Sequence, residues 1–185
     1  MTKSKTFAAL AFVVAFQPSI AISQVSTIED FTSNPETRWS FFADTVMGGK
    51  SAGRAQFLQN ADTDFAKLSG TVSTANNGGF IQMRANFTEN PPENSTGIRI
   101  IVRGNSQRYF IHLRTRGTIM PWQYYQVGFD APADWSEIRL PFIEFAPSGS
   151  MMRTEINPQS LRSIGIVAFG RDHDANLEIS EVGYY

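Results

Sequence analysis

The chain has 185 residues, no cysteine and an almost balanced charge, with 16 lysines and arginines against 17 aspartates and glutamates. The absence of cysteine excludes a disulfide framework, cysteine-ligated zinc, iron–sulfur clusters and a thiol nucleophile. The balanced charge argues against general nucleic-acid binding, which depends on neutralising phosphates. With 42% hydrophobic and 12% aromatic residues, the composition indicates one globular domain with a packed core.

Residues 1–23 have the pattern of a cleavable secretory signal peptide. Two lysines precede an apolar run over residues 6–16, and small residues at Ala21 and Ser23 suit a cleavage site. The apolar run is too short to cross a hydrocarbon core of about 30 Å as a helix. We therefore expect a periplasmic or secreted protein, without a membrane span after cleavage, whose single domain is residues 24–185.

The rest of the chain alternates short apolar-patterned runs with turn residues, which is typical of an all-β sandwich or barrel. Strands are predicted over residues 39–46, 53–59, 65–74, 80–87, 98–103, 107–115, 122–130, 135–142, 164–170 and 177–185. A helical turn is predicted at residues 158–162, with Asn157 as its N-cap. The predicted architecture is an antiparallel β-sandwich or jelly roll, with one hairpin around residues 60–64 and another around residues 104–106.

Alternation within the predicted strands separates an apolar side from a side rich in arginine. If the strands on either side of residues 104–106 pair, one sheet face displays Arg84, Arg99, Arg103, Arg108, His112 and Arg114. Such a face suits an acidic or sugar-like ligand, because each guanidinium offers a planar fork of donors. The alternative is a solvated outer face whose arginines pair with nearby carboxylates.

One short match to a catalytic motif is present, since residues 49–53 have the form G-x-S-x-G around Ser51. That motif works on a sharp turn between a strand and a helix, whereas residues 54–59 have the pattern of a strand. The candidate bases are His112 and His173. We therefore predict that the protein is not an enzyme and keep a serine esterase at Ser51 as a weak alternative.

Metal and nucleotide chemistry have little support in the sequence. Two histidines without cysteine cannot complete a structural zinc site. Loop aspartates, Asp172 and Asp174 above all, offer oxygen ligands for calcium, but the spacing is not that of an EF-hand. Neither a phosphate-binding loop nor a dinucleotide fingerprint is present. We predict no cofactor and assign no metal ligand.

A motif near the start of the predicted domain resembles a family signature. Trp39 is followed by Asp44-Thr45-Val46-Met47-Gly48-Gly49-Lys50-Ser51. This run is similar to the Trp and Asp-x-Val-Met-Gly-Gly-x-Ser motif of the complex I intermediate-associated protein 30 family, and later blocks resemble the family in order up to residue 185. The resemblance implies a galactose-binding-like β-sandwich and a non-catalytic, chaperone-like role in assembling respiratory NADH:ubiquinone oxidoreductase.

The motif also has a physical interpretation of its own, in which its role is structural rather than binding. Gly48 and Gly49 can adopt positive φ and give a tight turn after a buried strand. The side chains of Asp44 and Ser51 are placed to bond turn amides. Trp39 and Met47 are expected to pack in the core.

The predicted function is that of a non-catalytic, exported binding module. The family resemblance suggests an assembly factor with a client protein from a membrane respiratory complex, and the alternative is a carbohydrate-binding module. Exposed aromatic side chains at Trp122, Tyr124, Trp135 or Phe110 would favour the carbohydrate alternative, because sugar sites combine aromatic rings with planar polar groups. No nucleic-acid partner is expected.

Overall fold

The computed structural model describes residues 25–60 and 63–185, so the predicted signal peptide lies outside the described residues. Within these ranges, the chain forms two six-stranded antiparallel sheets that pack face to face. The prediction of an all-β antiparallel sandwich is confirmed. No helix in these ranges is long and apolar enough to cross a membrane.

The first sheet contains β1 (Ser26–Glu29), β3 (Ala52–Gln59), β4 (Asp64–Val72), β6 (Gly97–Gly104), β9 (Ser136–Pro141) and β12 (His173–Tyr184). Its strand order is β3-β4-β12-β6-β9, and β1 also pairs with β12. The second sheet contains β2 (Trp39–Ala43), β5 (Phe80–Asn86), β7 (Arg108–Thr115), β8 (Tyr125–Asp130), β10 (Ala146–Pro147) and β11 (Leu161–Phe169). Its strand order is β10-β8-β7-β11-β5-β2.

The core lies between the two sheets and follows from the period of two in each strand. In β7, the side chains of Tyr109, Ile111 and Leu113 are fully buried, while the residues between them point away from the core. β6 repeats this pattern from the opposite sheet. Alternation therefore identifies the buried sides of β6 and β7 correctly.

The predicted hairpin between β3 and β4 is confirmed, with pairing from Ala52 and Thr71 to Gln59 and Asp64. The predicted hairpin between β6 and β7 is wrong. β6 pairs with β12 and β9, whereas β7 pairs with β11 and β8, so the chain crosses between the sheets near Ser106. The physical reason is that both strands bury one face, and alternation does not say which of two sheets a strand joins.

Two predicted strands are shorter in the structure. β2 ends at Ala43, because Asp44–Met47 forms a 3₁₀ turn, and β8 begins only at Tyr125. The predicted helical turn is present as a 3₁₀ turn over Pro158–Ser160, and the Asn157 side chain accepts a hydrogen bond from the amide of Gln159. Short strands β1 and β10 were not predicted.

Candidate binding groove

A groove with a volume of about 410 Å³ lies on the face of the second sheet that points away from the core. β5, β7 and β11 form its floor, the 3₁₀ turn Asp44–Met47 contributes to one side, and the loop before β8 contributes to another. It is lined by Phe42, Val46, Met47, Asn77, Gly78, Phe80, Gln82, Arg84, His112, Arg114, Pro121, Trp122, Tyr124, Ser163, Gly165, Val167 and Phe169.

The middle of the floor is formed by a residue without a side chain. Gly165 on β11 pairs with Arg84 on β5 and with His112 on β7. Adjacent strands are separated by just under 5 Å, so Arg84 and His112 start from backbone positions about 10 Å apart. Because Gly165 has no side chain to fill the space between Arg84 and His112, the groove is deepest at this point of its floor.

Aromatic rings form much of the groove surface. The His112 ring stacks on Tyr124, with ring centroids 3.9 Å apart and an interplanar angle of 9°. The rings of Phe169 and His112 have a T-shaped arrangement, with centroids 5.9 Å apart. Trp122 stands on the rim with 69% of its surface exposed. Aromatic walls with a few polar groups are typical of small-molecule and saccharide sites.

His112 is neutral in the folded protein at neutral pH. Burial lowers the pKa of its imidazole from 6.5 to about 4, since the charged form loses its hydration. The stacking partner Tyr124 is half-buried, and burial raises the pKa of its phenol. The aromatic part of the floor is therefore uncharged.

We expect the stability of the protein to fall as the pH drops from about 6.5 to about 4. The unfolded chain binds a proton at His112 more tightly than the folded chain does, so acid favours unfolding over this window. Between pH 7 and pH 5 this residue should account for about 2 kcal/mol. Urea unfolding of wild type and His112→Phe across this range measures the difference, and parallel pH profiles would contradict the assignment.

The positive charge of the groove comes from Arg84 and Arg114. The Arg84 guanidinium lies 4.6 Å from the centre of the Phe42 ring. Arg114 Nη2 donates to the carbonyls of Thr118 at 3.2 Å and Met120 at 2.9 Å. The Nε atom of Arg114 is buried without a hydrogen-bond partner among the described residues.

The electrostatic environment of Arg114 is positive. Burial, followed by the charges of Arg84 and Arg162, lowers the pKa of the Arg114 guanidinium. Within the described chain, none of the residues that line the groove is an aspartate or a glutamate. The site therefore carries two positive charges that no acidic side chain of the groove neutralises.

The predicted single arginine-rich face is wrong, because Arg99 and Arg103 belong to the first sheet. Arg99 donates to Glu137 at 2.7 Å and also to Glu181. Arg103 donates to Glu178 at 2.6 Å. The alternative, in which the arginines pair with nearby carboxylates, therefore describes these two residues. The cause of the error is the assumed hairpin between β6 and β7.

The other four predicted site residues share the outer face of the second sheet, and three of them line the groove. Arg108 lies near the start of β7 and pairs with Asp130 at 3.3 Å, away from the lining residues. Arg84, His112 and Arg114 line the groove. The structure therefore brings together three of the six residues.

Asp44 of the family-like motif is a buried carboxylate, and its hydrogen bonds connect the turn after β2 to Ser51 and to the start of β5. It accepts hydrogen bonds from the amide of Ser51 at 2.9 Å and from its hydroxyl at 2.5 Å. It also accepts from the amides of Gly79 at 2.5 Å and Phe80 at 3.3 Å. Burial alone would raise the pKa of Asp44, but these hydrogen bonds outweigh it and the pKa lies below its usual value.

The glycines around this carboxylate have two different roles. Gly48 has a φ of 86°, so the predicted left-handed turn is found there. Gly49 is required for space instead, because a Cβ atom on it would lie 2.3 Å from Asp44 Cγ. Gly78, from a later part of the chain, approaches equally closely, and a Cβ there would lie 2.4 Å from Asp44 Oδ2.

The structure places the apolar residues of the motif in two environments. Trp39 is buried in the core as predicted, and its indole donates to the buried carboxylate of Glu29 at 2.9 Å. The prediction that Met47 packs in the core is wrong, since it is 67% exposed, and Val46 is 72% exposed. Both residues sit on the 3₁₀ turn after β2, which directs them to the groove instead of continuing the strand.

Ser51 does not have the geometry of a hydrolase nucleophile. It is 1% exposed, its hydroxyl donates to Asp44, and β3 follows it in place of a helix. Asp172 and Asp174 accept hydrogen bonds from Thr74 and Thr71. Within the described ranges, no group of three or more histidine or acidic side chains is placed to hold a metal ion.

The described chain is an antiparallel β-sandwich with a groove on the outer face of its second sheet. The sequence profile described as complex I intermediate-associated protein 30 matches residues 29–179. The chain therefore belongs to the complex I intermediate-associated protein 30 family. A comparison of the sequence with curated proteins finds no match.

Solved carbohydrate-binding modules share this fold. A family 11 module from Clostridium thermocellum in complex with a β-1,3-1,4-mixed-linked tetrasaccharide has a TM-score of 0.69 at 11% identity, covering 86% of this chain and 94% of the module. The family 11 module of a Clostridium thermocellum cellulosomal cellulase has a TM-score of 0.70 at 11% identity, covering 89% and 95%. At these identities the likeness concerns the fold alone.

Proposed function

We propose that this protein is a non-catalytic carbohydrate-binding module that holds a saccharide chain in the groove of the second sheet. The observation that carries the proposal is the combination of an exposed Trp122 and a stacked His112–Tyr124 pair with Gln82 and Arg84 on one surface. Aromatic faces suit the apolar faces of sugar rings, and planar amide and guanidinium groups suit their hydroxyls.

The charge of the groove supports binding without hydrolysis. Glycoside hydrolases use a pair of carboxyl groups on either side of the scissile bond. The groove residues in the described chain include no carboxylate, and their polar groups come from arginine, histidine, glutamine, asparagine, serine and tyrosine. The galactose-binding-like neighbours include carbohydrate-binding modules, which is consistent with this role.

Isothermal titration of the purified protein against a panel of neutral and acidic polysaccharides tests the proposal. We expect saturable binding to at least one of them, without release of reducing sugar. Absence of binding across a panel that covers neutral, carboxylated and sulfated chains would reject the carbohydrate function.

A second candidate function is binding of a client protein during assembly of a membrane respiratory complex, as the family suggests. The specific observation that favours it is the exposure of Val46 and Met47, which line the groove, and of Met120, whose carbonyl accepts from Arg114. Methionine side chains adapt to varied apolar partners. Recovery of respiratory subunits with tagged wild type, and their loss with Val46→Ser/Met47→Ser, would support this function.

We further propose that residues 1–23 direct export and are removed. The lysine-bearing start, the apolar run and the small residues before Gln24 support this. Mass spectrometry of the mature protein is expected to give an N-terminus at or near Gln24. A variant with charged residues in the apolar run should stay inside the cell, and an intact Met1 on exported protein would contradict cleavage.

A further inference from the structure

We infer that the groove selects acidic saccharides, with Arg84 and Arg114 holding the carboxylate or sulfate groups of the chain. This inference rests on the proposed function and names the class of its ligand. It begins from a difference among the five arginines of the predicted site. Arg99, Arg103 and Arg108 each pair with an acidic side chain. Among the described residues, the two groove arginines have no acidic partner.

The register of the sheet places these two charges on opposite sides of β11. Arg84 on β5 is opposite Gly165, and Arg114 on β7 is opposite Ser163. Gly165 and Ser163 are two positions apart on the same face of β11, so the arginines are diagonal neighbours across about 10 Å of sheet. A sugar unit lying over Gly165 and Ser163 would therefore have a guanidinium on each side.

Both guanidinium groups are already positioned before any ligand binds. Arg84 is held over the Phe42 ring and makes no hydrogen bond within the described chain, so its donors are free for a ligand. Arg114 is fixed by the carbonyls of Thr118 and Met120. Its Nε atom is buried and unpartnered among the described residues. Fixed donors lose little conformational entropy on binding a planar carboxylate.

The positive electrostatic environment of Arg114 favours an anionic ligand beside it. Burial and the charges of Arg84 and Arg162 disfavour its protonated form and lower its pKa. An anionic group in the groove would reverse this unfavourable electrostatic environment. A neutral saccharide would leave it unchanged, so the electrostatics favour an acidic one.

The aromatic surface favours a saccharide over an acidic peptide as the carrier of the negative charge. The half-buried Tyr124, which is stacked on the buried His112, and the exposed Trp122 offer flat apolar faces next to the two arginines. An acidic peptide would use the arginines but not these faces. Binding of poly-glutamate is therefore the competing outcome of the test.

The test compares Arg84→Gln with Arg108→Gln. Both substitutions remove one positive charge from the outer face of the second sheet, but Arg108 lies outside the groove. The probes are polygalacturonate, dextran sulfate, neutral mixed-linkage β-glucan and poly-glutamate, titrated at low and high salt. Arg84 is preferred to Arg114 because Arg114 also supports the loop that carries Trp122.

We expect wild type and Arg108→Gln to bind polygalacturonate or dextran sulfate more tightly than the neutral glucan, and salt to weaken this binding. Arg84→Gln should weaken binding to the acidic chain by about tenfold to a hundredfold, with unchanged urea unfolding. The better of the two acidic probes then identifies carboxylate or sulfate as the group bound.

Two other results would overturn the inference, and they are distinguishable. Equal binding of neutral and acidic chains, with no effect of Arg84→Gln, would leave the carbohydrate function intact and reject the acidic preference. Binding of poly-glutamate with no binding of any saccharide would reject both the inference and the carbohydrate function.

Discussion

Replacing Asp44 by alanine is expected to lower the free energy of unfolding by about 3–5 kcal/mol. The carboxylate accepts four hydrogen bonds from Ser51, Gly79 and Phe80, and it is fully buried. Alanine would leave the amides of Ser51, Gly79 and Phe80 without this buried acceptor, while the Ser51 hydroxyl keeps the carbonyl of Ser73. Urea unfolding followed by tryptophan fluorescence measures the loss.

The control for this prediction is Asp134→Ala, at an exposed aspartate in the segment before β9. Substitutions at such sites usually change stability by less than about 0.5 kcal/mol. If Asp44→Ala lowers the free energy of unfolding by less than about 1 kcal/mol, the hydrogen bonds of this carboxylate do not contribute substantially to stability.

A double-mutant cycle with Gly78 tests the same arrangement independently. A Cβ at Gly78 would lie 2.4 Å from Asp44 Oδ2, so Gly78→Ala should destabilise the wild type. In the Asp44→Ala background the nearest remaining atom is the Cα of Gly49 at 3.0 Å, and the additional loss should be smaller than in the wild type. Gly149→Ala is the matched control, since nothing lies within 4 Å of its Cβ position. Additive losses would contradict the contact.

Replacing Trp122 by alanine is expected to weaken saccharide binding by about 2 kcal/mol, or about thirtyfold in Kd. Truncation should leave the free energy of unfolding unchanged, because 69% of the side chain is exposed and it lies on the rim of the groove. The ring is therefore available to a ligand and contributes little to the core. Isothermal titration and urea unfolding of the same preparation separate the two effects.

Ile143→Ala is the matched control for Trp122. Ile143 is also a large apolar residue, 88% exposed, and it is not among the residues that line the groove. Its truncation should leave both binding and stability unchanged. Equal binding by Trp122→Ala and wild type would exclude the aromatic rim from the site.

Alternation and turn residues were sufficient to predict much of the fold. They identified the buried sides of most strands and the β3–β4 hairpin, whose connection is short and whose strands stay in one sheet. They did not predict that β6 and β7 lie in different sheets. The side-chain period of a strand reports which face is buried, and in a sandwich both sheets bury a face toward the same core.

The groove was harder to predict, because its residues come from distant parts of the chain. Asp44 was expected to bond turn amides, and it does, but its bonds to Gly79 and Phe80 connect positions 35 and 36 residues away. The sequence pattern predicted that Val46 ends a strand and that Met47 packs in the core. Only the 3₁₀ turn, fixed by Asp44 and Gly48, directs them outward. Local pattern carries no information about such a connection.

The six predicted site residues illustrate the same limit. Arg84, His112 and Arg114 were correctly grouped because they alternate with buried residues on β5 and β7. Arg99 and Arg103 were grouped with them only through the assumed hairpin. Their carboxylate partners lie on β9 and β12, which the sequence does not associate with β6.

The three tryptophans of the chain allow one direct test of ligand binding in the groove. Trp122 lies on the groove rim, Trp39 lies in the core, and Trp135 packs against Phe65 and Arg103 of the first sheet. Two-dimensional ¹⁵N–¹H NMR resolves their indole N–H signals during titration with an oligogalacturonate and with a neutral mixed-linkage tetrasaccharide. We predict that the Trp122 signal shifts with saturation while those of Trp39 and Trp135 stay in place. A shift of Trp135 with an unchanged Trp122 would place the ligand on the first sheet and contradict a binding site in the groove.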